Sequence, residues 1–407
     1  MTRRPRLLVL NEYYWPGIEA TAVLLTELCE ALARDFDVTV VTGALHGVKA
    51  QPGRIRHNGV DVVRVRGTSY DRSKLPLRAL NYATYIAGSW LEGLRVPRPD
   101  VVMCWTDPPM IADVGLAVAR RARAPLLVIT QDVFPEIAVE LGRLENAALV
   151  SLLRVLVNAY LRRAHQVVAI GETMAERLVA KGVPRDRLAV IPNWVDTASL
   201  VPMPTDNEWA REHGLVDKFV VMHSGNVGHA QNLELLIRAS TFLRDLDDLA
   251  VVIVGSGARR REVEELATRL DADAVRFLPY QPRETLSQSL SGAQLHFVGL
   301  ARGLAGFVVP SRFYGVLSVG RAVIVAAETT SETARVVEQT GCGVVVPPDR
   351  ADLLAGVIRS AHGAELDLEE MGRKGRQYVT AAVDRDVVIG RYRELLARLA
   401  NGGGPAR

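Results

Sequence analysis

The chain has 407 residues, 48% of them apolar and 23% charged. That is globular composition, which excludes a disordered, collagen-like or low-complexity chain, and the length predicts two or three domains. Its 49 basic and 46 acidic side chains leave a net charge of +3, too balanced for a dedicated nucleic-acid binder.

The start, MTRRPRLLVLNEYY, is basic with a very short apolar run. It reads as a tail entering a first strand, not as a signal peptide. No run of 18 apolar residues occurs, so no transmembrane helix is expected. Cys29, Cys104 and Cys342 lie far apart, with no metal or disulfide spacing. Buried free thiols in a reducing compartment, and a cytoplasmic location, are the expectation. Apolar runs at 7–11, 38–42, 60–66, 101–105, 125–130, 167–170 and 188–191 read as parallel strands buried on both faces. Helical stretches separate them, among them 20–33, 111–121 and 173–181, the last closed by Gly182. The periodicity breaks over 192–215. A second series of runs then follows at 219–223, 250–255, 275–278, 295–298, 322–326 and 344–346. Two such series predict an α/β fold of two Rossmann-like, doubly wound domains facing each other across a cleft. The expected division is 1–200 and 201–385, with a final helix over 386–400 returning to the first domain and a mobile tail over 401–407.

Three loops of the second domain carry candidate anion chemistry. After the run Val251–Val254 comes Gly255-Ser256-Gly257 and a helix, a turn that admits close backbone approach at a helix N-terminus. Arg260 replaces the third glycine of a dinucleotide fingerprint, so an anion site and a plain tight turn both stand. In Ser224-Gly225-Asn226-Val227-Gly228-His229-Ala230-Gln231-Asn232, Gly225 and Gly228 free the backbone to bend around a phosphate. Asn226 and Gln231 offer neutral donors there. His229 is either a source of positive charge or a solvent-exposed loop residue. In the third loop, Pro310 and Ser311 read as a helix start with Ser311 as N-cap. Arg312 then falls in the first turn, aimed where a diphosphate would sit, since arginine grips phosphate as a bidentate fork. The alternative is a surface arginine paired with a carboxylate.

Other features are weighed on the same terms. The D-x-D pairs Asp35/Asp37, Asp245/Asp247, Asp271/Asp273 and Asp384/Asp386 lie in polar turns or beside helices, and none follows a buried strand, so no metal is expected. Residues 72–98 mix Arg72, Lys74, Arg78, Arg95 and Arg98 with Leu80, Tyr82, Trp90 and Leu94. Such a helix either lies on an anionic membrane or packs on the sheet. The segment 149–163, ending in Arg162-Arg163, is a second candidate for such membrane contact, with core and a basic end as the better reading.

Taken together, the order and spacing of these motifs resemble the GT-B glycosyltransferases of family 4, the retaining nucleotide-sugar transferases. Within them the chain is similar to bacterial enzymes that build O-antigen or capsule-type surface polysaccharides. The resemblance spans nearly the whole chain. It includes Tyr14-Trp-Pro-Gly17-Ile-Glu19-Ala-Thr21, Thr106-Asp-Pro-Pro109, Gln131-Asp132-Val-Phe-Pro135-Glu136 and Val190-Ile-Pro-Asn193-Trp-Val-Asp196, besides the three glycine loops. Two departures stand out. Gly315 occupies the position of the glutamate that usually holds the donor ribose. His229 and Gln231 stand where an arginine and a lysine usually grip the diphosphate, leaving Arg312 a larger share of that charge.

The resemblance implies an acceptor-binding first domain and a nucleotide-binding second domain. Transfer proceeds with retention, by front-face attack in which the leaving phosphate helps take the acceptor proton. Asp132 and Arg312 are then the expected catalytic residues. Gly225, Asn226, Gly228, His229, Gln231, Gly255, Gly257, Pro310, Ser311 and Tyr314 are expected on the donor, and Gly17, Glu19 and Gln131 on the acceptor side. The implied donor is a nucleotide-diphosphate sugar, a UDP-N-acetylated sugar by subfamily similarity. The implied acceptor is a glycan or polyprenyl-diphosphate-linked sugar at the cytoplasmic face of the inner membrane, with peripheral membrane contact and no cofactor or nucleic acid. Alternative readings are a sugar-nucleotide epimerase or hydrolase of the same fold, and a non-catalytic nucleotide-sugar-binding subunit.

Overall fold

The computed structural model describes residues 3–45, 51–70 and 75–402, with Leu75 and Pro76 by backbone alone. Arg72, Lys74 and residues 403–407 of the expected tail lie outside the described residues. The chain forms two compact units, Met1–Pro192 with Val388–Arg407, and Asn193–Val387.

Unit 1 is built on eight strands: β1 (Arg6–Leu10), β2 (Asp37–Thr42), β3 (Gly53–His57), β4 (Val60–Arg64), β5 (Val101–Trp105), β6 (Leu126–Thr130), β7 (Gln166–Ala169) and β8 (Leu188–Val190). They lie in the order β3-β4-β2-β1-β5-β6-β7-β8, parallel except for β3 against β4. Strands β1, β5 and β6 are almost wholly buried, as their unbroken apolar runs require of strands covered on both faces. The apolar pattern does not reveal β3. Its one large apolar residue, Ile55, is half exposed, and the strand is held by its hairpin, where Asn58 and Gly59 take φ 44° and 85°, the backbone a tight two-residue turn needs.

Helices α1 (Ala20–Leu32), α2 (Leu75–Arg95), α3 (Ile111–Ala122), α4 (Glu136–Glu140), α5 (Ala147–Arg163) and α6 (Glu172–Ala180) complete unit 1. Gly182 follows α6 with φ 91°, the left-handed closure expected of it. The expectation of a core segment over 149–163 is overturned. Only Val157, Tyr160 and Leu161 of α5 are buried, and Leu149, Leu152, Val155 and Leu156 are exposed. The apolar composition pointed inward, but the first turns of the helix bury no residue fully, and only Val150 and Leu153 there are half-buried.

Unit 2 has six strands, β9 (Phe219–Ser224), β10 (Leu249–Val254), β11 (Val275–Leu278), β12 (Leu295–Gly299), β13 (Ala322–Ala326) and β14 (Gly343–Val346). All are parallel, in the order β11-β10-β9-β12-β13-β14. Its helices are α7 (Glu208–Glu212), α8 (Leu233–Ser240), α9 (Arg260–Arg269), α10 (Leu286–Ser291), α11 (Arg312–Ser318), α12 (Glu332–Thr340), α13 (Ala351–His362) and α14 (Leu368–Tyr378). A continuous core joins Val221, Leu236, Ile253, Phe297, Ile324 and Ile358 between the sheet and its helices. Both sheets are thus doubly wound, and strand order reverses between β1 and β5 and between β9 and β12. Ligands of such sheets bind beyond the carboxyl ends of the strands at that reversal.

Residues 193–203 are fastened to unit 2. The Thr197 hydroxyl donates to Asp384 (2.5 Å), Ser318 Oγ to Leu200 O (2.7 Å), and Arg321 Nη2 to Met203 O (2.7 Å). Arg376 donates to Thr197 O and Leu200 O, both at 2.8 Å. The last helix, α15 (Arg385–Ala400), belongs to unit 1 from Val388 onward. There Arg391 donates to Val190 O and Arg393 pairs with Asp35 at 2.7 Å.

Candidate functional site

In unit 2 the loops after β9, β10 and β12 press backbone on backbone. A Cβ at Gly255 would fall on the carbonyl of Gly225, one at Gly257 on that of Val227, and one at Gly299 on that of Gln231. Gly225 N–H donates to Val254 O (2.9 Å), Val227 N–H to Ser256 O (2.8 Å), and Gly228 N–H to the Gln231 side chain (2.9 Å). Ahead of α9, Arg259 N–H donates to Val227 O and Arg260 N–H to Gly257 O. These glycines are therefore explained by the close approach of loops to one another, and the N–H groups of 225, 227 and 228 are engaged inside the fold. Asn226 is exposed and His229 half-buried on the rim of the same loop.

Positive charge comes instead from Arg312, in the first turn of α11. Its Nη2 donates to Gly299 O at 3.1 Å, and its Cδ would lie 3.5 Å from a Cβ on Gly225. The side chain thus bridges the ends of β9 and β12, at the reversal of strand order. Its Nε is shut from solvent without a partner, and burial lowers its pKa from 12.5 to about 10. Among the described residues no carboxylate pairs with it, unlike the arginine of an ordinary surface ion pair. Ser311 does not cap the helix. It is exposed, already in the helical region (φ −61°, ψ −27°), and makes no side-chain cap bond. Pro310 accepts from Phe313 N–H at 3.1 Å, opening the turn. Tyr314 is 2% exposed and turns into the core edge-on to Phe313, so it shapes the helix from beneath.

One residue of this site escaped the sequence reading. His223, at the end of β9, is fully buried. Burial, with the nearby charge of Arg312, drives its pKa well below the ordinary range, so the imidazole is neutral. Its Nε2 lies 3.3 Å from Asn226 O, while Nδ1 has no partner. A lone histidine closing the otherwise apolar run Phe219–Met222 was the available signal.

In unit 1 the corresponding end of the sheet gathers Glu12 after β1, Asp107 after β5 and Asp132 after β6. Glu12 N–H donates to Asp107 O at 2.8 Å, joining the loops at the strand reversal, and Gln131 N–H donates to Thr106 Oγ1 at 3.2 Å. Asp132 is an exposed residue, and desolvation by the surrounding protein raises its pKa to about 6, against the pull of Arg78. Arg78, on α2, donates from Nε to the Tyr82 hydroxyl at 2.8 Å and couples electrostatically to Asp107 and Tyr13. It belongs to this cluster, although the sequence grouped it with a basic helix that either lies on a membrane or packs on the sheet. Gly17 N–H donates to Tyr14 O at 2.9 Å, and Glu19 occupies the N-cap position of α1 without a side-chain cap bond. Glu136 accepts from Arg154 (2.9 Å) and from buried Lys181 (2.8 Å), tying α4 to α5 and α6. Three D-x-D pairs contain aspartates held by arginines, Asp35 by Arg393, Asp245 by Arg359 and Asp386 by Arg385. Among the described residues no three His, Cys, Asp or Glu side chains gather as a metal site.

Residues 20–194 match the Glycosyl transferase 4-like domain, and residues 205–378 match the Glycosyl transferases group 1 domain. The chain belongs to the GT-B glycosyltransferases of family 4. An Escherichia coli (strain K12) protein named for a colanic acid biosynthesis glycosyl transferase, WcaI, is 28% identical over 236 residues, 57% of either chain, so the match spans little more than half of that relative. The Pseudomonas aeruginosa glycosyltransferase WbjE is 24% identical over 90% of this chain and 91% of its own. The crystal structure of Anabaena HepE in complex with UDP-glucose superposes with a TM-score of 0.73 at 17% identity, covering 97% of this chain and all of HepE; at that identity the likeness is one of fold. Against the family pattern, Gly315 leaves a small apolar gap, with Leu290 and Leu200 3.8 and 3.9 Å from the place of its missing Cβ.

Proposed function

We propose that this glycosyltransferase moves a sugar, with retention of anomeric configuration, from a nucleotide-diphosphate sugar to a glycan or lipid-linked acceptor in bacterial surface-polysaccharide synthesis. The observation that carries the reading is Arg312, a half-buried guanidinium with no carboxylate partner among the described residues, at the β9/β12 reversal of unit 2. A partly buried cation left unpaired is unfavourable, and a diphosphate supplies the missing charge. The HepE complex with UDP-glucose supports the donor class, and the colanic acid biosynthesis name of WcaI supports the pathway. A UDP-N-acetylated sugar is the proposed donor, and the cytoplasmic face of the inner membrane the place of work.

In the reaction the bond from anomeric carbon to diphosphate oxygen breaks, and the acceptor oxygen bonds that carbon on the same face. The acceptor proton passes to the departing phosphate. Arg312 stabilises the negative charge that grows on the leaving group, an electrostatic role that needs no reorganisation when the charge appears. Neutral His223 backs Arg312 without competing for the phosphate. In unit 1, Asp132, with Arg78 tuning its ionisation, orients the acceptor hydroxyl. No metal is assigned a part.

The test is a thermal-shift panel of UDP, GDP, TDP and CMP on wild type and Arg312→Ala, followed by incubation with UDP-sugars and lipid-linked acceptor. Stabilisation by UDP that Arg312→Ala loses, and an NMR-determined anomeric configuration equal to that of the donor, are the expected results. Binding of no nucleotide, or an inverted product, would overturn the reading. Donor binding without turnover in the presence of acceptor would favour a non-catalytic subunit.

A further inference from the structure

Strand β3 contributes no buried side chain to unit 1, and its hairpin with β4 carries none of the residues expected at the donor or the acceptor. What the hairpin does is hold one residue of another segment twice. Arg64, the last residue of β4, is 5% exposed. It donates from Nη1 to Gly43 O at 2.8 Å and from Nη2 to Trp15 O. His57, the last residue of β3, stacks on the Trp15 ring, with centroids 3.8 Å apart and planes at 20°. His57 and Asn58 also reach Glu30 of α1, at 3.4 and 2.9 Å.

Trp15 belongs to the loop between β1 and α1. The stem of that loop is fastened to the end of β2 as well. Thr42 Oγ1 donates to Glu12 O at 2.8 Å, and Gly43 N–H to the same carbonyl at 3.0 Å. The tip is not fastened in this way. Ile18 is 87% exposed, and Gly17 N–H turns back onto Tyr14 O. The loop therefore has a fixed stem over 12–15 and a projecting tip over 17–19.

An arginine is not what stability alone would select at position 64. Burial lowers its pKa, and among the described residues no carboxylate pairs with it. An apolar side chain of similar volume would fill the same place without burying a charge. What the guanidinium adds is geometry, a rigid planar fork that fixes two carbonyls from two separate loops relative to each other. The ring stack adds a second constraint on the same residue.

We infer that the β3–β4 hairpin is a clamp on the β1–α1 loop, with Arg64 and His57 as positioning residues that set where the tip of this loop meets the acceptor. The inference deepens the proposed function and rests on it for one thing, that this loop faces the acceptor. The clamp itself rests on the contacts of Trp15. Neither residue touches substrate, and both act through Trp15. Transfer needs its reactants held close to the productive geometry by a supported shell, so a loosened stem reads as lost acceptor turnover beside an intact donor site.

Hydrogen exchange and acceptor kinetics test it on the full-length protein, with UDP-N-acetylglucosamine as donor and a short-chain prenyl-diphosphate-linked N-acetylglucosamine as probe acceptor. The variants are Arg64→Met, Arg64→Lys, His57→Ala and His57→Phe. Arg64→Met and His57→Ala should speed amide exchange across residues 12–19 by about tenfold or more. They should lower kcat/KM for the acceptor by about tenfold or more, while KM for the donor and the UDP-induced thermal shift stay as in wild type. Arg64→Lys keeps a donor for one carbonyl and His57→Phe keeps a ring, so each should recover part of the loss. Acceptor kinetics within about twofold of wild type in Arg64→Met and His57→Ala would overturn the inference and leave both residues as supports of the fold alone. Unchanged exchange over 12–19 would overturn it too. If Arg64→Met does not fold, half-buried His57 carries the test through its two variants. A wild type that neither shifts with UDP nor transfers sugar counts against the proposed function, and the exchange result then decides the clamp by itself.

Discussion

Replacing Arg312 by methionine separates a structural arginine from a binding one. Methionine keeps most of the volume and removes the charge. The fall of the Arg312 pKa from 12.5 to about 10 corresponds to about 3 kcal/mol of unfavourable charge burial. Against this stands the hydrogen bond to Gly299 O, worth about 1–2 kcal/mol, including the acceptor left behind. Without ligand, Arg312→Met is therefore expected to be more stable than wild type by about 1 kcal/mol, or about 2–4 °C for a unit of this size. With UDP the order reverses. Ligand at about 100 times its dissociation constant stabilises wild type by about 2.7 kcal/mol. A lost charged hydrogen bond of about 1.5–3 kcal/mol weakens binding enough to cut that gain to about 1 kcal/mol or less. Differential scanning calorimetry with and without UDP reads both effects. A variant less stable than wild type without ligand, yet with an undiminished UDP shift, would show that Arg312 is a structural staple and would refute the reasoning.

Further outcomes follow from other parts of the structure. The rate constant kcat/KM should fall as pH drops through about 6, where Asp132 takes its proton, and Asp132→Asn should abolish that limb. Because the folded pKa lies above the ordinary 3.8, Asp132 favours the folded state most at acid pH and loses that contribution as pH rises from about 4 to 6. Asp132→Asn should accordingly raise thermal stability at pH 7 more than at pH 4. Glu136→Gln removes the counter-charge of buried Lys181 and should cost about 2–3 kcal/mol in urea unfolding at pH 7. Burial opposes the Glu136 charge, but the bonds from Lys181 and Arg154 hold its pKa down. The difference from wild type should therefore shrink as pH falls through that lowered value. Gly255→Ala sets a methyl on the Gly225 carbonyl at φ +131° and should cost about 3 kcal/mol or more. Gly356→Ala, exposed within α13 with nothing within 4 Å of its Cβ, should instead stabilise by about 0.5–1 kcal/mol.

Much of the site was legible as local pattern. Val251–Val254 and Phe219–Met222 are strands because both faces are covered, and that leaves an unbroken apolar run in the sequence. Arg312 was marked by a helix start after Pro310. Strand β3 left no such trace, since its pairing comes from a hairpin at Asn58-Gly59 and not from a buried face. Gly225, Gly255 and Gly257 were visible as glycines, but not the reason for them. Only the register of β9 with β10 shows that each loop occupies the space a neighbouring Cβ would need. His223 and Arg78 were visible too, one inside an apolar run and the other in a basic helix. Their relations to Arg312 and to Asp132 arise from strand order and helix placement.

The sequence by itself determined the alternation of strands and helices, the two Rossmann-like halves and the family, because burial periodicity and loop glycines are local records of covered faces and tight turns. Tertiary structure alone decided three things. It placed Arg312 at the β9/β12 reversal with no counter-charge among the described residues, it engaged the glycine-loop N–H groups internally, and it left the first turns of α5 without a fully buried residue. Each depends on what other segments, distant in the chain, bring against those residues, and composition carries no record of that.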